Sequence, residues 1–365
     1  MKLKYYLLLF CAPLFISTAF AGADQTDTLT AKKLNPYGRY YYNANKELEL
    51  ISSAVHFGFS FEGTTCKIYT SLPDEHAHSY LQYELDGVYQ KRIRVEGNPK
   101  EPITIIAPTA GKHEVWIYKC TEAATGAILI SKIAAEHIKS LKPSKASLIE
   151  FIGNSITCGA AADASDIPCG TGDYHDQHNA YMAYGPRLAR KLGANYMLSS
   201  VSGIGVYRNW NSDAPTMPQV YEKVNFQDNT PLLWDFSTYS PKVVSIALGT
   251  NDFSNGDGKR PRKPFDAVEF TATYVKFVKL VKSKYPNARI ALLSSPMVKF
   301  QNAKLLEDCI TAVRDKINAA YPKSKPAQVF FFPPMEAHGC GGHPSVEDHA
   351  VMADQATAFF KKLLE

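Results

Sequence analysis

Apolar residues follow two different periods along the chain. From about residue 37 to 140 the period is two. Val55, Phe57, Phe59 and Phe61 alternate with His56, Gly58 and Ser60, the pattern of a strand with one apolar face. Residues 79–85 and 88–95 flank Asp86-Gly87, a two-residue turn signal that predicts a β-hairpin. Further strands are predicted over 65–70, 102–107, 113–119 and 126–133. Short strands at this spacing predict a jelly-roll-like β-sandwich domain over 37–140, behind a polar lead-in at 22–36. Residues 139–147 are polar, contain Pro143 and read as a linker.

From residue 148 to 365 strand-like runs alternate with helical ones. The strands are predicted at 148–152, 195–200, 242–248, 288–294 and 327–332. In 265–285 Val268, Val275, Val278 and Val281 recur at helical spacing, and in 303–320 Leu306, Ile310, Val313 and Ile317 do the same. Residues 179–192 and 346–364 are also predicted helices. This alternation predicts a three-layer α/β/α domain with a central parallel sheet and a site at the carboxyl ends of its strands.

The first 21 residues follow a different rule. Lys2 and Lys4 precede an apolar run over 5–16, and Ala19-Phe20-Ala21 fits a small-x-small cleavage pattern. The segment reads as a signal peptide, so the protein is expected to be exported, secreted or periplasmic. The run is shorter than the ~20 residues a spanning helix needs, so no stable membrane insertion is expected after cleavage. Cys11 would leave with the signal. Of seven cysteines, the other six are Cys66, Cys120, Cys158, Cys169, Cys309 and Cys340, an even set suited to disulfides in an oxidising compartment. Proximity in sequence suggests Cys66–Cys120, Cys158–Cys169 and Cys309–Cys340. No CxxC or HExxH spacing occurs, so no metal site is expected. A net charge of +5 without a basic block gives no support for a nucleic-acid partner. Nothing in the sequence indicates the oligomeric state.

Polar, glycine-flanked residues cluster at predicted strand ends. Gly153-Asn154-Ser155-Ile156-Thr157 follows the first strand of the second domain, and a serine on such a turn can present its hydroxyl above the sheet. Ser202-Gly203-Ile204-Gly205 follows the second strand. Gly249-Thr250-Asn251-Asp252 follows the third, where Asn251 can offer an amide to an oxyanion. His343, in Gly339-Cys340-Gly341-Gly342-His343-Pro344-Ser345, is a candidate base for the serine. Taken singly each has an ordinary structural counterpart: a helix cap, a glycine turn, a turn asparagine, a structural histidine.

In chain order Ser155, Gly203, Asn251 and His343 resemble the four blocks of the SGNH (GDSL-type) esterases. The resemblance implies a serine nucleophile, a histidine base, and an oxyanion hole made by the Ser155 and Gly203 N–H groups and the Asn251 amide. A sandwich ahead of such a domain, with His113-Glu114-Val115-Trp116, Lys119, Glu122 and Ile149-Glu150-Phe151-Ile152-Gly153, resembles carbohydrate esterase family 2. So do Thr157-Cys158-Gly159, Leu248-Gly249-Thr250-Asn251-Asp252-Phe253-Ser254, and Gly339-Cys340 ahead of His343-Pro344. That likeness implies removal of O-acetyl groups from acetylated xylan, mannan or sugars through an acetyl-serine, with no metal or organic cofactor. The partner is then an acetylated polysaccharide or oligosaccharide.

Two positions depart from the superfamily pattern. Asn154 stands where an aspartate usually precedes the serine, and Cys340 stands three residues before the histidine where many members place an aspartate. A backbone carbonyl is then the expected orienter of His343, with Asp348 and Glu347 as other candidates. A Cys309–Cys340 bridge would tie the helix over 303–320 to the loop of His343. Trp210, in Tyr207-Arg208-Asn209-Trp210, is a candidate sugar platform. Trp234 reads as structural, and Trp116 as sandwich core. The alternatives are a lipase, thioesterase or cell-wall O-acetylesterase on the same scaffold, or a carbohydrate-binding protein without activity.

Overall fold

The computed structural model describes residues 26–142 and 144–365. The predicted signal segment, with Cys11, lies outside the described residues. The N-terminal strands are β1 (Thr26–Thr30), β2 (Tyr40–Tyr42), β3 (Leu48–Leu50), β4 (His56–Ser71), β5 (His78–Leu85), β6 (Val88–Tyr89), β7 (Ile93–Glu96), β8 (Ile103–Ile106), β9 (Lys112–Lys119) and β10 (Ile128–Ser140). All pair antiparallel within one hydrogen-bonded sheet, along the path β2-β3-β10-β4-β9-β5-β6. The runs expected at 55–61 and 65–70 are one strand, β4, which pairs with β9 at one end and β8 at the other. Its pairing with β10 carries register shifts, which bend a strand and let the sheet fold around its own core. Asp86 and Gly87 form the predicted turn, both with positive φ (53° and 76°), as a type I′ hairpin requires.

Val55, Phe57, Phe59 and Phe61 are buried in the sandwich core as the alternation requires. The opposite face of β4 differs from expectation. His56 and Ser60 are also buried. That face meets the second domain instead of water: the His56 ring lies 4.8 Å from the ring of Tyr196. Trp116 belongs to the same face. It lies against Gly58 and packs on the core of the second domain, so it is an interface residue, not sandwich core. Arg39 crosses the same boundary fully buried. It donates to the carbonyls of Tyr221 (2.6 Å) and Lys223 (2.7 Å), and its guanidinium lies 3.9 Å from Glu150.

The second domain holds strands β11 (Leu148–Gly153), β12 (Asn195–Ser200), β13 (Val243–Ala247), β14 (Arg289–Leu293) and β15 (Gln328–Phe330). They pair in parallel in the order β12-β11-β13-β14-β15. Its helices are α1 (Ser155–Cys158), α2 (Tyr184–Lys191), α3 (Met217–Val220), α4 (Thr250–Phe253), α5 (Ala267–Lys284), α6 (Phe300–Ala320) and α7 (Val346–Leu364). Helices α5 and α6 cover one face of the sheet, and α2 and α7 the other. This is the expected α/β/α sandwich. In α6 the predicted stripe is buried. In α5 it is rotated: Val268 is 80% exposed, and Phe270, Tyr274 and Phe277 fill the face beside Val278 and Val281. Aromatic residues cover more area there than valine, and they set which side of the helix turns inward.

Buried histidines tie this packing to pH. Burial pushes His56 down to about 4, against a partly compensating bond to the Ala54 carbonyl, and pushes His349 down to about 3. The unfolded chain binds both protons near pH ~6.5, and the native state does not. Stability is therefore full above that value and is lost as pH falls. Urea unfolding should show a decline of about 1.4 kcal/mol per pH unit for each histidine between pH ~6.5 and ~5. His56→Gln should reduce that slope, and an unchanged slope would contradict the assignment.

Candidate active site

The parallel sheet brings three loops to one edge. Strand β11 ends at Gly153, where a Cβ would lie 2.0 Å from Thr157 Oγ1, so only glycine lets the chain turn this tightly. Asn154 follows with its side-chain oxygen accepting the Ile156 N–H at 3.1 Å. The helix-capping role open to an aspartate here is filled by a neutral amide. Ser155 then opens α1. Strand β12 leads into Ser202-Gly203, with Gly203 at φ 75°. Strand β13 leads into α4 and Asn251, whose amide donates to the Ile204 carbonyl at 2.7 Å and so pins the Gly203 turn.

His343 arrives from the loop before α7. Its Nε2 lies 3.0 Å from Ser155 Oγ, and its Nδ1 lies 3.3 Å from the Cys340 carbonyl. With the Nδ1–H donated to that carbonyl, Nε2 is left free to accept the serine proton. Burial lowers the His343 pKa below its ordinary value, and the Cys340 carbonyl opposes this. A neutral ring is the form a base needs. Neither acidic neighbour orients it. Asp348 caps α7 through Ser345 and bonds His338, and Glu347 bonds Ser345. The position lacking an aspartate thus contributes its main-chain oxygen instead.

The cysteines differ from expectation. Cys169 and Cys340 form a disulfide. Cys66, Cys120, Cys158 and Cys309 are buried free thiols, so none of the three sequence-local pairs forms. Cys66 lies in the sandwich core, and Cys309 lies within α6 beside Thr271. The bridge therefore ties the His343 loop to the segment 163–179, not to α6. Main-chain bonds from Cys340 to Ala161 (2.8 Å), from Val346 to Ala162 (3.1 Å) and from Gly339 to His343 (2.8 Å) hold the same loop.

Ser155, Gly203, Asn251, His343 and Trp210 all line one open cleft of about 770 Å³, with Tyr174, Phe253, Met297 and Lys299 among its other walls. Trp210 is 44% exposed there. Trp234 is buried and stacks on Tyr239, as a structural residue does. Residues not singled out for the site complete it. Asp252 accepts the N–H groups of Val206, Tyr207 and Arg208 and so anchors the loop leading to Trp210. Burial lifts its pKa to about 6 against those bonds. Tyr174 sets its ring 6.1 Å from that of His343. The only sequence signal for Asp252 was its place beside Asn251, and for Tyr174 there was none. Away from the cleft, His78, His175 and Asp176 each bring one potential metal-binding atom within 4.8 Å of the others. His78 Nε2 and Asp176 Oδ1 already satisfy one another at 2.5 Å, and Tyr80 donates to the same oxygen.

Comparison with known proteins finds matches to both domains. Residues 37–144 match the carbohydrate esterase 2 N-terminal family, and residues 151–357 match the GDSL-like lipase/acylhydrolase family. An acetylxylan esterase / glucomannan deacetylase of Cellvibrio japonicus is 27% identical over 352 residues, 94% of each chain. The cellulase/esterase CelE of Acetivibrio thermocellus is 31% identical over 294 residues, 74% of this chain and 34% of that protein. This chain thus spans about a third of that longer relative. The structure of a family two carbohydrate esterase from Clostridium thermocellum in complex with cellohexaose superposes with a TM-score of 0.78 at 26% identity, covering 93% of this chain and 99% of the other.

The disulfide yields a direct test. In the Cys169→Ser, Cys340→Ser double variant the carbonyl of residue 340 is kept and only the tether is lost. Ester hydrolysis should fall about tenfold in kcat, equivalent to ~1.4 kcal/mol, while far-UV dichroism and cooperative unfolding persist. Full kcat in the folded variant would show that the main-chain bonds suffice.

Proposed function

The chain belongs to the GDSL-like lipase/acylhydrolase family, and we propose that it is an exported serine esterase that removes O-acetyl groups from carbohydrates. The observation that carries this reading is the 3.0 Å contact of Ser155 Oγ with His343 Nε2 in a cleft also lined by Gly203 and Asn251. His343 takes the hydroxyl proton as Ser155 Oγ attacks the acetyl carbonyl carbon. The C=O electron pair moves onto oxygen, which the Ser155 and Gly203 N–H groups and the Asn251 amide stabilise, at ~3 kcal/mol for one such donor. Collapse expels the sugar oxygen, which receives the proton from His343 Nε2. Water then gives its proton to His343 and attacks the acetyl-serine, and acetate leaves as the proton returns to Ser155.

The cleft and the relatives support the substrate class. The cleft is wider than an acetyl group needs and has an exposed indole at its rim, which suits a sugar face. The Cellvibrio relative is named for acetylxylan and glucomannan, and the Clostridium structure holds a cellohexaose. The export signal over residues 1–21 and the Cys169–Cys340 disulfide both suit an oxidising compartment.

Acetate release from acetylated xylan, acetylated glucomannan and an aryl acetate tests the reading. Ser155→Ala should lower kcat by at least ~10³-fold on all three. In wild type, aryl esters longer than acetate should be poorer substrates. Trp210→Ala should raise KM on the polymers more than on the aryl ester. Polymer retention without acetate release by the oxidised wild type would instead favour a binding protein, and release undiminished in Ser155→Ala would remove the nucleophile.

A further inference from the structure

We propose that Glu122, contributed by the N-terminal domain, is a positioning residue for the catalytic pair, clamping the Ser202–Gly203 turn and supplying the buried negative charge that the His343 loop lacks. The inference rests on the esterase reading above. Glu122 follows β9 and is only 3% exposed. One carboxylate oxygen accepts the Ser202 N–H at 2.6 Å and the Cys158 thiol at 3.5 Å. The other accepts the His178 Nε2–H at 3.4 Å. Its side chain thus reaches across the domain boundary to the turn that carries Gly203.

The charge on Glu122 is not cancelled by its histidine. His178 Nδ1 accepts the Ala161 N–H at 3.2 Å, so its one ring proton is on Nε2 and the ring is neutral. Burial pushes the Glu122 carboxyl up, but the bonds from His178 and Ser202 outweigh this and hold it below the ordinary range. Lys119 meets the Glu122 main chain. Its ammonium donates to the main-chain carbonyls of Glu122 (2.7 Å) and Ile51 (2.8 Å), which fixes the backbone from which the carboxylate projects. Burying an ionised carboxylate is costly unless it is paired and hydrogen-bonded, and these contacts meet that condition.

The chemistry has a use for that charge. His343 becomes positive as it takes the Ser155 proton, yet its Nδ1 faces only a carbonyl. A carboxylate bonded to the Ser202 turn, which lines the same cleft as His343, acts through low-dielectric protein to favour the imidazolium. Glu122 raises the His343 pKa, in opposition to burial. The other ionisable groups facing these two residues are Tyr174 on the 163–179 segment, Cys158 on α1, His349 on α7 and Lys119.

The test uses the full oxidised protein with Glu122→Gln and Glu122→Asp. With an aryl acetate, Glu122→Gln should lower kcat by about 10- to 100-fold with KM changed by less than about twofold. The acid limb of kcat/KM should move down by about half to one pH unit, because removing a negative charge disfavours the imidazolium. Glu122→Asp keeps the charge but falls short of Ser202, so it should lower kcat and leave the limb near its wild-type place. NMR titration of His343 reads the same shift without turnover, so failure of the esterase reading and failure of this one are separate results. Wild-type kcat in folded Glu122→Gln, or a kcat loss with neither the limb nor the His343 titration moved, would overturn the proposal.

Discussion

A single hydrogen bond, Ser155 Oγ to His343 Nε2, joins residues 188 apart in sequence, and much of the second domain serves to keep its two ends in place. A flexible side-chain pair of this kind is worth about 1 kcal/mol net, far too little to organise loops by itself. The order is built elsewhere. The fully buried strand β11 fixes Ser155 through the Gly153 turn and the Asn154 cap. His343 is fixed from three sides, by the Cys340 carbonyl, by the main-chain bonds to Ala161 and Ala162, and by the disulfide to Cys169. Preorganisation of this sort places the cost in folding, so that little remains for the reacting state.

A cysteine in place of an aspartate at position 340 changes how His343 is held, not whether it is held. A carbonyl fixes the tautomer as well as a carboxylate does, but it lends no charge to the imidazolium. Glu122 holds the Ser202 N–H beside the Gly203 turn, and that residue comes from the N-terminal domain. The two domains are thus joined by more than a linker. Arg39 projects from the first with its charge buried and ends on the main-chain carbonyls of Tyr221 and Lys223 in the second. The packing of His56 on Tyr196 and of Trp116 on the second core explains why the polar side of β4 is buried, and why the second domain is not merely appended.

Local pattern carried the backbone far. Alternation in β4, the Asp86-Gly87 turn and the five apolar runs after residue 148 each reflect contacts made by neighbours in sequence or by one face of one element. Ser155, Gly203 and Asn251 were legible because each follows a strand end, where a parallel sheet places loops together, and His343 because it stands in a glycine-rich loop after the last strand. The features that escaped depend on which surfaces meet. Trp116 alternates as a core residue would, and only the docking of the second domain decides which core it joins. Val268 fits a helical stripe that the larger Phe270, Tyr274 and Phe277 override. Cys169 and Cys340 are 171 residues apart, so proximity in sequence pointed away from them. Glu122 carried no local signal of its task, because its partners lie on other loops.

The most direct test of the account is the mass of the intact protein after rapid mixing with an aryl acetate and an acid quench. The expected species is heavier by one acetyl group, with the modification on the peptide that carries Ser155 and absent from Ser155→Ala. An acetyl group found on any other residue, or an equal acetylated species in Ser155→Ala, would contradict it.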